Sequence, residues 1–449
     1  MKQTYDLLKD DVRSLFFRYL LPSISATLVT SIYVLADTII VGKGIGEDAI
    51  AALNLILPLF TIFFGTGLLF GVGGSIRMSL ERAKGNYKEG NIYFTTALLA
   101  NLCIMLIYLF LGIFFFEEIA YLLGSTEETI GYVNSYGRWL VAGIPFFTFS
   151  SFLQSFIRND QAPKLAMVGV ITGGILNIIL DYIFVYMFHW GMAGASSATV
   201  LGSFITCIIL LTHFFTKRNG LKLNFYGVSL PKLRQIFTNG LSSFLIELAN
   251  GILTFFFNIQ LLKYIGVLGL TVYSILSNTA IIVTSLSNGI AQAAQPIITM
   301  NYGANQFERI KQIKRLGLSV AFIIGSIFAL IGFIAPNMVI EIFIHPTKEI
   351  MQIAPTAIRL YFFSFIGCTL NMFLSNYFQA STKALLAMVL SLLRGMVLSI
   401  LLLYLLPALF GATGIWLAMP MVELITFVIA LIFLKKDVFH KQHTESSFS

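Results

Sequence analysis

The stretch LAMVGVITGGILNIILDYIFVYMF, residues 165–188, decides the fold class of this chain. Its side chains are almost all apolar, and Asp181 is the only charged residue in it. A helix of about 20 apolar residues spans the hydrocarbon core of a bilayer and satisfies its backbone polar groups internally. The stretch therefore predicts a transmembrane α-helix that carries one acidic group inside the membrane.

The rest of the chain repeats this pattern. Twelve such stretches follow one another with short polar gaps, the first at about residues 15–41 and the last at about residues 411–434. Overall, 57% of the residues are hydrophobic and 11% are charged, whereas a soluble domain carries roughly 25% charged residues. The composition predicts an all-α integral membrane protein with twelve transmembrane helices, and it argues against a soluble enzyme or a nucleic-acid-binding protein.

The loop charges predict the orientation in the membrane. The formal net charge is +8, and nearly all loop Lys and Arg residues fall in the N-terminus, the alternate loops and the C-terminal tail. The opposite loops hold only Lys43, Lys263 and Lys348. Because cytoplasmic loops are enriched in Lys and Arg, we expect a multi-pass protein of the cell membrane with both termini in the cytoplasm.

The two halves of the chain repeat each other at an offset of about 220 residues, which pairs Lys43 with Lys263 and Gly191 with Gly411. Six spans per repeat predict two six-helix lobes related by a parallel pseudo-two-fold repeat, as in many secondary transporters. The predicted domains are an N-terminal lobe at residues 1–216, a basic cytoplasmic linker at 217–233, a C-terminal lobe at 234–434 and a cytoplasmic tail at 435–449.

Four polar residues of the N-terminal half fall at a similar depth in their spans. At a rise of about 1.5 Å per residue, Asp37, Asp181 and Thr199 lie ~8–10 Å from the outer ends of their spans, and Asn177 lies one helical turn from Asp181. Their oxygens suit a small cation such as Na⁺. Two carboxylates held close in a low dielectric also suit a proton. Unrelated hydrogen bonds between helices are the alternative.

The C-terminal half carries a different set of ionisable residues. The positions that repeat the two aspartates are Phe257 and Leu401, so the pocket is not duplicated. Glu247, Glu423 and Arg394 instead fall near the middle of their spans, where charged residues are costly and often functional. A structural Arg394–Glu423 ion pair is one interpretation, and contact with a cationic substrate or a proton is the other. Glu247, which has no obvious partner, favours the second.

Proline and glycine residues suggest where helices bend and pack. Pro22 lies on the same predicted span as Asp37 and is a candidate hinge, although an immobile kink fits as well. The glycines between residues 65 and 74 resemble a phosphate-binding loop only superficially, because no strand precedes them and no Lys-Ser/Thr follows. We therefore expect these glycines to mediate close helix packing. Because the sequence shows no nucleotide-binding loop, we expect the energy for any transport to come from an ion gradient.

The order of these motifs resembles the multidrug and toxic compound extrusion (MATE) family, in its prokaryotic MepA-like and DinF-like branch. The resemblance covers essentially the whole chain. It rests on Pro22 followed by ADTIIVG at residues 36–42, on LNIILD at 176–181 followed by GMAGA at 191–195, and on the glycine-rich second span that ends in Gly85-Asn86.

The resemblance implies a cation site for H⁺ or Na⁺ formed by Asp37, Asn177, Asp181 and Thr199. It also implies that a carboxylate on the seventh span, here Glu247, acts in the C-terminal lobe.

Two departures from the family pattern stand out. Tyr182 occupies the place of the usual proline after the aspartate of the fifth span. The tenth span carries Asn371 and Asn376 rather than the acid found in some members.

The function that follows is efflux of amphipathic, often cationic organic compounds by cation-coupled antiport and alternating access. We expect no enzymatic activity and no cofactor besides the coupling ion, H⁺ or Na⁺. The expected partners are small amphipathic molecules and membrane lipids, with no nucleic acid, and the expected oligomeric state is a monomer. The alternative is a flippase for a lipid or lipid-linked saccharide, but such proteins often carry a cationic cavity, whereas Glu247 and Glu423 outnumber Arg394 here.

Overall fold

The structure, a computed structural model, describes residues 6–127, 129–344 and 346–446. The first five residues of the predicted N-terminal lobe and the last three of the predicted tail lie outside the described residues.

The described residues form sixteen α-helices: α1 Val12–Gly44, α2 Glu47–Ala83, α3 Tyr87–Phe114, α4 Phe116–Leu122, α5 Ile130–Asn159, α6 Pro163–Tyr182, α7 Gly191–Leu211, α8 Leu230–Tyr264, α9 Val267–Gly303, α10 Phe307–Ile334, α11 Pro336–Phe343, α12 Lys348–Phe362, α13 Ser364–Ala380, α14 Ala384–Leu392, α15 Leu398–Phe410 and α16 Ala412–Ser446. A π-helical turn extends α6 over Ile183–Met187, and another joins α14 to α15 over Leu393–Val397. A 3₁₀ turn, Thr212–Phe215, follows α7.

Twelve segments of the described chain are long and apolar enough to cross a membrane. Four of them combine consecutive elements: Pro163–Met187, Gly191–Phe215, Lys348–Ala380 and Ala384–Phe410. The short helices α4 and α11 lie between spans. The predicted all-α membrane fold with twelve spans is confirmed, and the stretch at residues 165–188 is the fifth span.

The chain divides into two compact units. Unit one comprises Met1–Leu248 and Gln292–Lys311, and unit two comprises Ala249–Ala291 and Gln312–Ser449. Helices α8 and α9 each contribute residues to both units. The lobe boundaries that the repeat suggests, 1–216 and 234–434, stay a prediction.

Unit one is packed through the glycine-rich helix α2, which lies against α5. A Cβ atom at Gly67 would lie 2.2 Å from the backbone oxygen of Thr148, and one at Gly71 would lie 2.9 Å from the Cα of Phe152. These distances are shorter than van der Waals contact, so only glycine permits this approach. The expectation that the glycines between residues 65 and 74 mediate helix packing is confirmed.

The segment that follows α7 is fastened to unit one by a buried network around Asp160. The Asp160 carboxylate accepts hydrogen bonds from Arg82 and from the backbone N–H of Gly220, the latter at 2.9 Å. The second Asp160 oxygen also lies 2.6 Å from His213 Nε2. Arg82 donates in addition to the Gly220 carbonyl at 2.6 Å. The sequence did not reveal this network, because its members lie far apart along the chain.

Unit two has an apolar core around α12, α13, α15 and α16. Phe257, which occupies the repeat position of Asp37, is fully buried there and stacks on Tyr273 with ring centroids 4.6 Å apart. The aromatic pair therefore stands where the N-terminal half carries a carboxylate.

Candidate functional site

Four polar residues from three helices lie together in unit one. Asp37 lies on α1, Asn177 and Asp181 lie on α6, and Thr199 lies on α7. Asp181 is 0% exposed, Asn177 2% and Asp37 9%. Asn177 Nδ2 donates to Thr199 Oγ1 at 3.3 Å, and the carboxyl groups of Asp37 and Asp181 are close neighbours. We call these four residues the carboxylate cluster.

Glycines bring α6 and α7 close enough to form this cluster. A Cβ atom at Gly173 would lie 2.5 Å from the Gly202 carbonyl oxygen, and one at Gly202 would lie 2.7 Å from the Gly173 carbonyl oxygen. Gly173 precedes Asn177 by one helical turn, and Gly202 follows Thr199 by one turn, so both pairs lie on matching faces. The close crossing of the two backbones therefore sets the Asn177–Thr199 contact.

A local change of helix type follows Asp181. The α-helix ends at Tyr182, and a π-helical turn continues over Ile183–Met187. This turn packs against the end of α1, where a Cβ atom at Gly44 would lie 2.5 Å from Val185 Cγ1. π-Helical turns occur often at functional sites. The family pattern has a proline at the position of Tyr182. In this chain the helix changes at the same place through a π-helical turn instead of a proline.

The carboxylate cluster has more acceptor oxygens than donors. Both carboxylate oxygens of Asp181, Oδ1 of Asp37 and Oδ1 of Asn177 are buried and have no hydrogen-bond partner among the described residues. No Lys, Arg or His in the described part of the chain forms an ion pair with either aspartate. A buried charge without a partner is costly, so this arrangement favours the binding of protons or small cations.

The donor chemistry separates classes of ion. Two carboxylates, one amide oxygen and one hydroxyl are hard oxygen ligands, which suit Na⁺ or a proton better than a soft transition metal. The described residues contain no group of three or more His, Cys, Asp or Glu side chains that could hold a metal ion. Asp37, Asn177, Asp181 and Thr199 fit a monovalent cation, and their role as a cation site stays a prediction.

Two tyrosines complete the surroundings of the cluster. Tyr136 of α5 is buried and lies next to Thr199 and both aspartates. Tyr33 lies one turn before Asp37 on α1 and packs against α6 at Gly174. Sequence reasoning missed both. The spacing to Asp37 could have indicated Tyr33, but nothing in the spacing of α5 indicates Tyr136.

A small cavity with both polar and apolar lining residues adjoins the cluster inside unit one. It has a volume of about 30 Å³ for a water-sized molecule or ion, which is enough for one water. Its wall includes Tyr33, Asn177 and Thr199, and it continues past Ser150 and Gln154 of α5. The cavity offers the cluster a place for one water molecule or one small ion.

Unit two holds a separate charged cluster in which every charge has a partner. Arg394 Nε donates to Glu423 Oε1 at 2.6 Å, and Asn371 Nδ2 donates to Glu423 Oε2 at 2.7 Å. Arg394 Nη2 also lies 2.9 Å from Cys368 Sγ. The ion pair that the sequence left open is present, and the π-helical turn Leu393–Val397 carries its arginine. A substrate role for Glu423 and Arg394 stays a prediction.

Glu247 is not part of that cluster, because it lies on the portion of α8 that belongs to unit one. Its Cβ would lie 3.6 Å from a Cβ atom at Gly65 of α2, and its carboxylate is near Tyr33. No ion pair of Glu247 occurs within the described part of the chain. The three residues that the sequence grouped in the C-terminal lobe are thus divided between the two compact units, and the role of Glu247 stays a prediction.

Pro22 is buried inside α1, which continues without interruption from Val12 to Gly44. A proline within a helix removes one backbone hydrogen bond. Its role as a hinge stays a prediction.

Comparison with known proteins gives a consistent family match. A family model described as MatE matches residues 22–183 and again residues 243–405. The two matched segments start at an offset close to the 220 residues at which the halves align.

Two curated relatives and one solved structure illustrate the similarity. The chain is 25% identical over 433 residues to the multidrug export protein MepA of Staphylococcus saprophyticus, which covers 96% of this chain and 95% of that protein. It is also 25% identical over 416 residues to MepA of Staphylococcus aureus strain MSSA476, covering 92% and 91%. A solved structure, described as the outward-facing conformation of a multidrug resistance MATE family transporter of the MOP superfamily, superimposes with a TM-score of 0.90 at 22% identity. It covers 98% of this chain and 100% of that chain.

Proposed function

Because the chain belongs to the MatE family of membrane transporters, we propose that it is a MepA-like member and exports amphipathic, often cationic organic compounds by cation-coupled antiport. Two curated relatives that align over nearly their whole length carry the name multidrug export protein, which supports this class of substrate. As a member of this family the chain is a transporter rather than an enzyme.

The observation that carries the proposal is the carboxylate cluster of unit one. Two aspartates share a buried site and lack a basic partner among the described residues. A coupling ion, H⁺ or Na⁺, compensates one of their two negative charges when it binds. Its release leaves excess negative charge in a low-dielectric interior, which favours a different arrangement of the surrounding helices.

Helix α1 provides the mechanical link in this proposal. It carries Asp37 and, nearer its start, Pro22. A change of charge at Asp37 alters the packing of α1 against α6, and Pro22 is the point at which the helix bends most easily. The ion and the substrate thereby favour different conformations, which is the condition for coupled exchange.

Glu247 supports the proposed preference for cationic compounds. Its carboxylate lies on α8 without an ion pair in the described part of the chain and close to Tyr33. An acidic group beside an aromatic ring suits an organic cation, because the ring face attracts positive charge as well. Substrate and coupling ion would then act on neighbouring acidic groups of unit one.

The decisive experiment measures efflux of a cationic dye from proteoliposomes of the purified protein, with a pH gradient and a Na⁺ gradient imposed separately. We expect one gradient to drive efflux, and we expect Asp37→Asn to abolish this dependence. The matched control is Glu308→Gln, since Glu308 is 84% exposed and its Lys311 contact spans 3.9 Å. Absence of gradient-driven dye movement, together with lipid movement between leaflets, would replace the proposal with a lipid flippase.

We further propose that the protein resides in the cell membrane with both termini in the cytoplasm, since this places the basic loops inside. The test introduces one cysteine, Lys217→Cys, after Cys103, Cys207 and Cys368 are replaced by alanine. A membrane-impermeant maleimide should label this position in everted vesicles and leave it unlabelled in intact cells. Labelling in intact cells would reverse the orientation.

A further inference from the structure

A second cavity of unit one, far larger than the first, lies where three helices begin or end. It has a volume of about 350 Å³, within the range of small-molecule sites. Its wall is formed by the early part of α1, by the connection from α5 to α6 with the first turns of α6, and by the segment after α7. We call it the basic cavity.

The rim of the basic cavity is positively charged. Arg18, Lys164 and Arg218 line it, and none of the described lining residues is Asp or Glu. All three are exposed. Neither Lys164 nor Arg218 forms an ion pair with a described carboxylate. Asp160, which precedes the lining residue Gln161, is already bound by Arg82 and His213.

The interior of the cavity is apolar. Most of its exposed surface belongs to apolar atoms, with Leu165 and Val168 of α6 and Pro163 at the turn among its lining residues. Val168 is 45% exposed and lies within a span, so this wall faces the hydrocarbon. Pro163 also begins α6, and the positive end of a helix dipole favours an anion.

The second half of the chain does not repeat all of these cations. An offset of 220 residues pairs Lys164 with Ala384, next to Lys383. At the repeat offset of about 220 residues, Arg18 corresponds to Thr238. The combination of Arg18 and Lys164 is therefore specific to the first half of the chain.

We infer that the basic cavity binds an anionic phospholipid, with the phosphate against Arg18, Lys164 and Arg218 and an acyl chain against Leu165 and Val168. Basic pockets between membrane helices bind anionic lipid headgroups, and each nearby Lys or Arg contributes. A free phosphate would contact the basic residues of the rim but not the apolar wall. The combination of a cationic rim with an apolar wall that opens toward hydrocarbon favours the lipid.

The test counts lipids bound to the full-length protein in detergent by native mass spectrometry. Phosphatidylglycerol and phosphatidylcholine with identical acyl chains are compared, and inorganic phosphate is added as a competitor. We expect tighter binding of phosphatidylglycerol, weakened on the order of tenfold or more by Lys164→Gln combined with Arg218→Gln. Both residues are exposed, so this double variant should fold.

The matched control is Lys217→Gln combined with Lys222→Gln, which removes the same charge from exposed residues that belong to the segment carrying Arg218 but do not line the cavity. It should retain wild-type binding. Equal binding of both lipids, or an equal loss in the control, would overturn the site. Displacement of the lipid by millimolar inorganic phosphate would overturn the lipid assignment in favour of a free-phosphate site.

Discussion

The substitution Asp37→Asn separates a functional carboxylate from a structural one, because the structure predicts opposite effects on stability and on coupling. Asp37 and Asp181 lie side by side, and both Asp181 oxygens lack a hydrogen-bond partner among the described residues. An asparagine at position 37 has nearly the same shape, removes one negative charge and supplies an N–H group next to these oxygens. The variant should therefore be more stable than the wild type and should be uncoupled.

The magnitude follows from the two terms that change. Two unit charges about 4 Å apart repel each other by roughly 4 kcal/mol at an effective dielectric of about 20, although a proton shared between the carboxyl groups already relieves part of this repulsion. A hydrogen bond to a charged group contributes about 1.5–3 kcal/mol. We expect the free energy of unfolding to rise by about 1–3 kcal/mol in Asp37→Asn.

Thermal unfolding in detergent and gradient-driven efflux test both effects on the same preparations. The wild type should be stabilised by its coupling ion, because a ligand that binds only the folded state raises its stability. Asp37→Asn should melt at a higher temperature without that ion, and the ion should no longer raise it further. A lower melting temperature, or normal ion-driven efflux, would refute the account of the cluster. Glu308→Gln should change neither quantity, since exposed ion pairs contribute little.

Three further substitutions test the packing around the two clusters and the connecting segment. Glu423→Gln should lower the free energy of unfolding by up to roughly 3–5 kcal/mol, because it leaves Arg394, whose side chain is only 17% exposed, without a charged partner. Calorimetry would detect the loss, and an unchanged melting temperature would contradict the ion pair. Gly202→Ala should lower the free energy of unfolding by about 1–3 kcal/mol, because the added methyl group overpacks the α6–α7 crossing. It should also weaken the stabilisation by the coupling ion. The control Gly131→Ala should change neither quantity, because a Cβ atom at Gly131 has open space. Asp160→Asn should free the segment after α7, so that limited proteolysis cuts that segment faster than in the wild type; equal rates would argue against the network.

The sequence alone was sufficient for the membrane fold, because hydrophobic length is a local property that each stretch expresses independently of the others. The twelve spans, the repeat and the residues Asp37, Asn177, Asp181 and Thr199 all followed from composition, spacing and depth. The same local reasoning explains what was missed. Tyr136 carries no charge and no periodic signal, so only the packing of α5 against α7 places it beside the aspartates.

The partners of each polar group were decided by the tertiary structure. Glu423 and Glu247 look alike in the sequence, as single acids near the middle of apolar spans. The fold pairs Glu423 with Arg394 and Asn371, while it leaves Glu247 without an ion pair among the described residues. The hydrophobicity of each helix is a property of its own residues, so the sequence predicts which segments enter the membrane. The neutralisation of a buried charge depends on atoms a few ångströms away on other helices, and those distances exist only after the helices have packed.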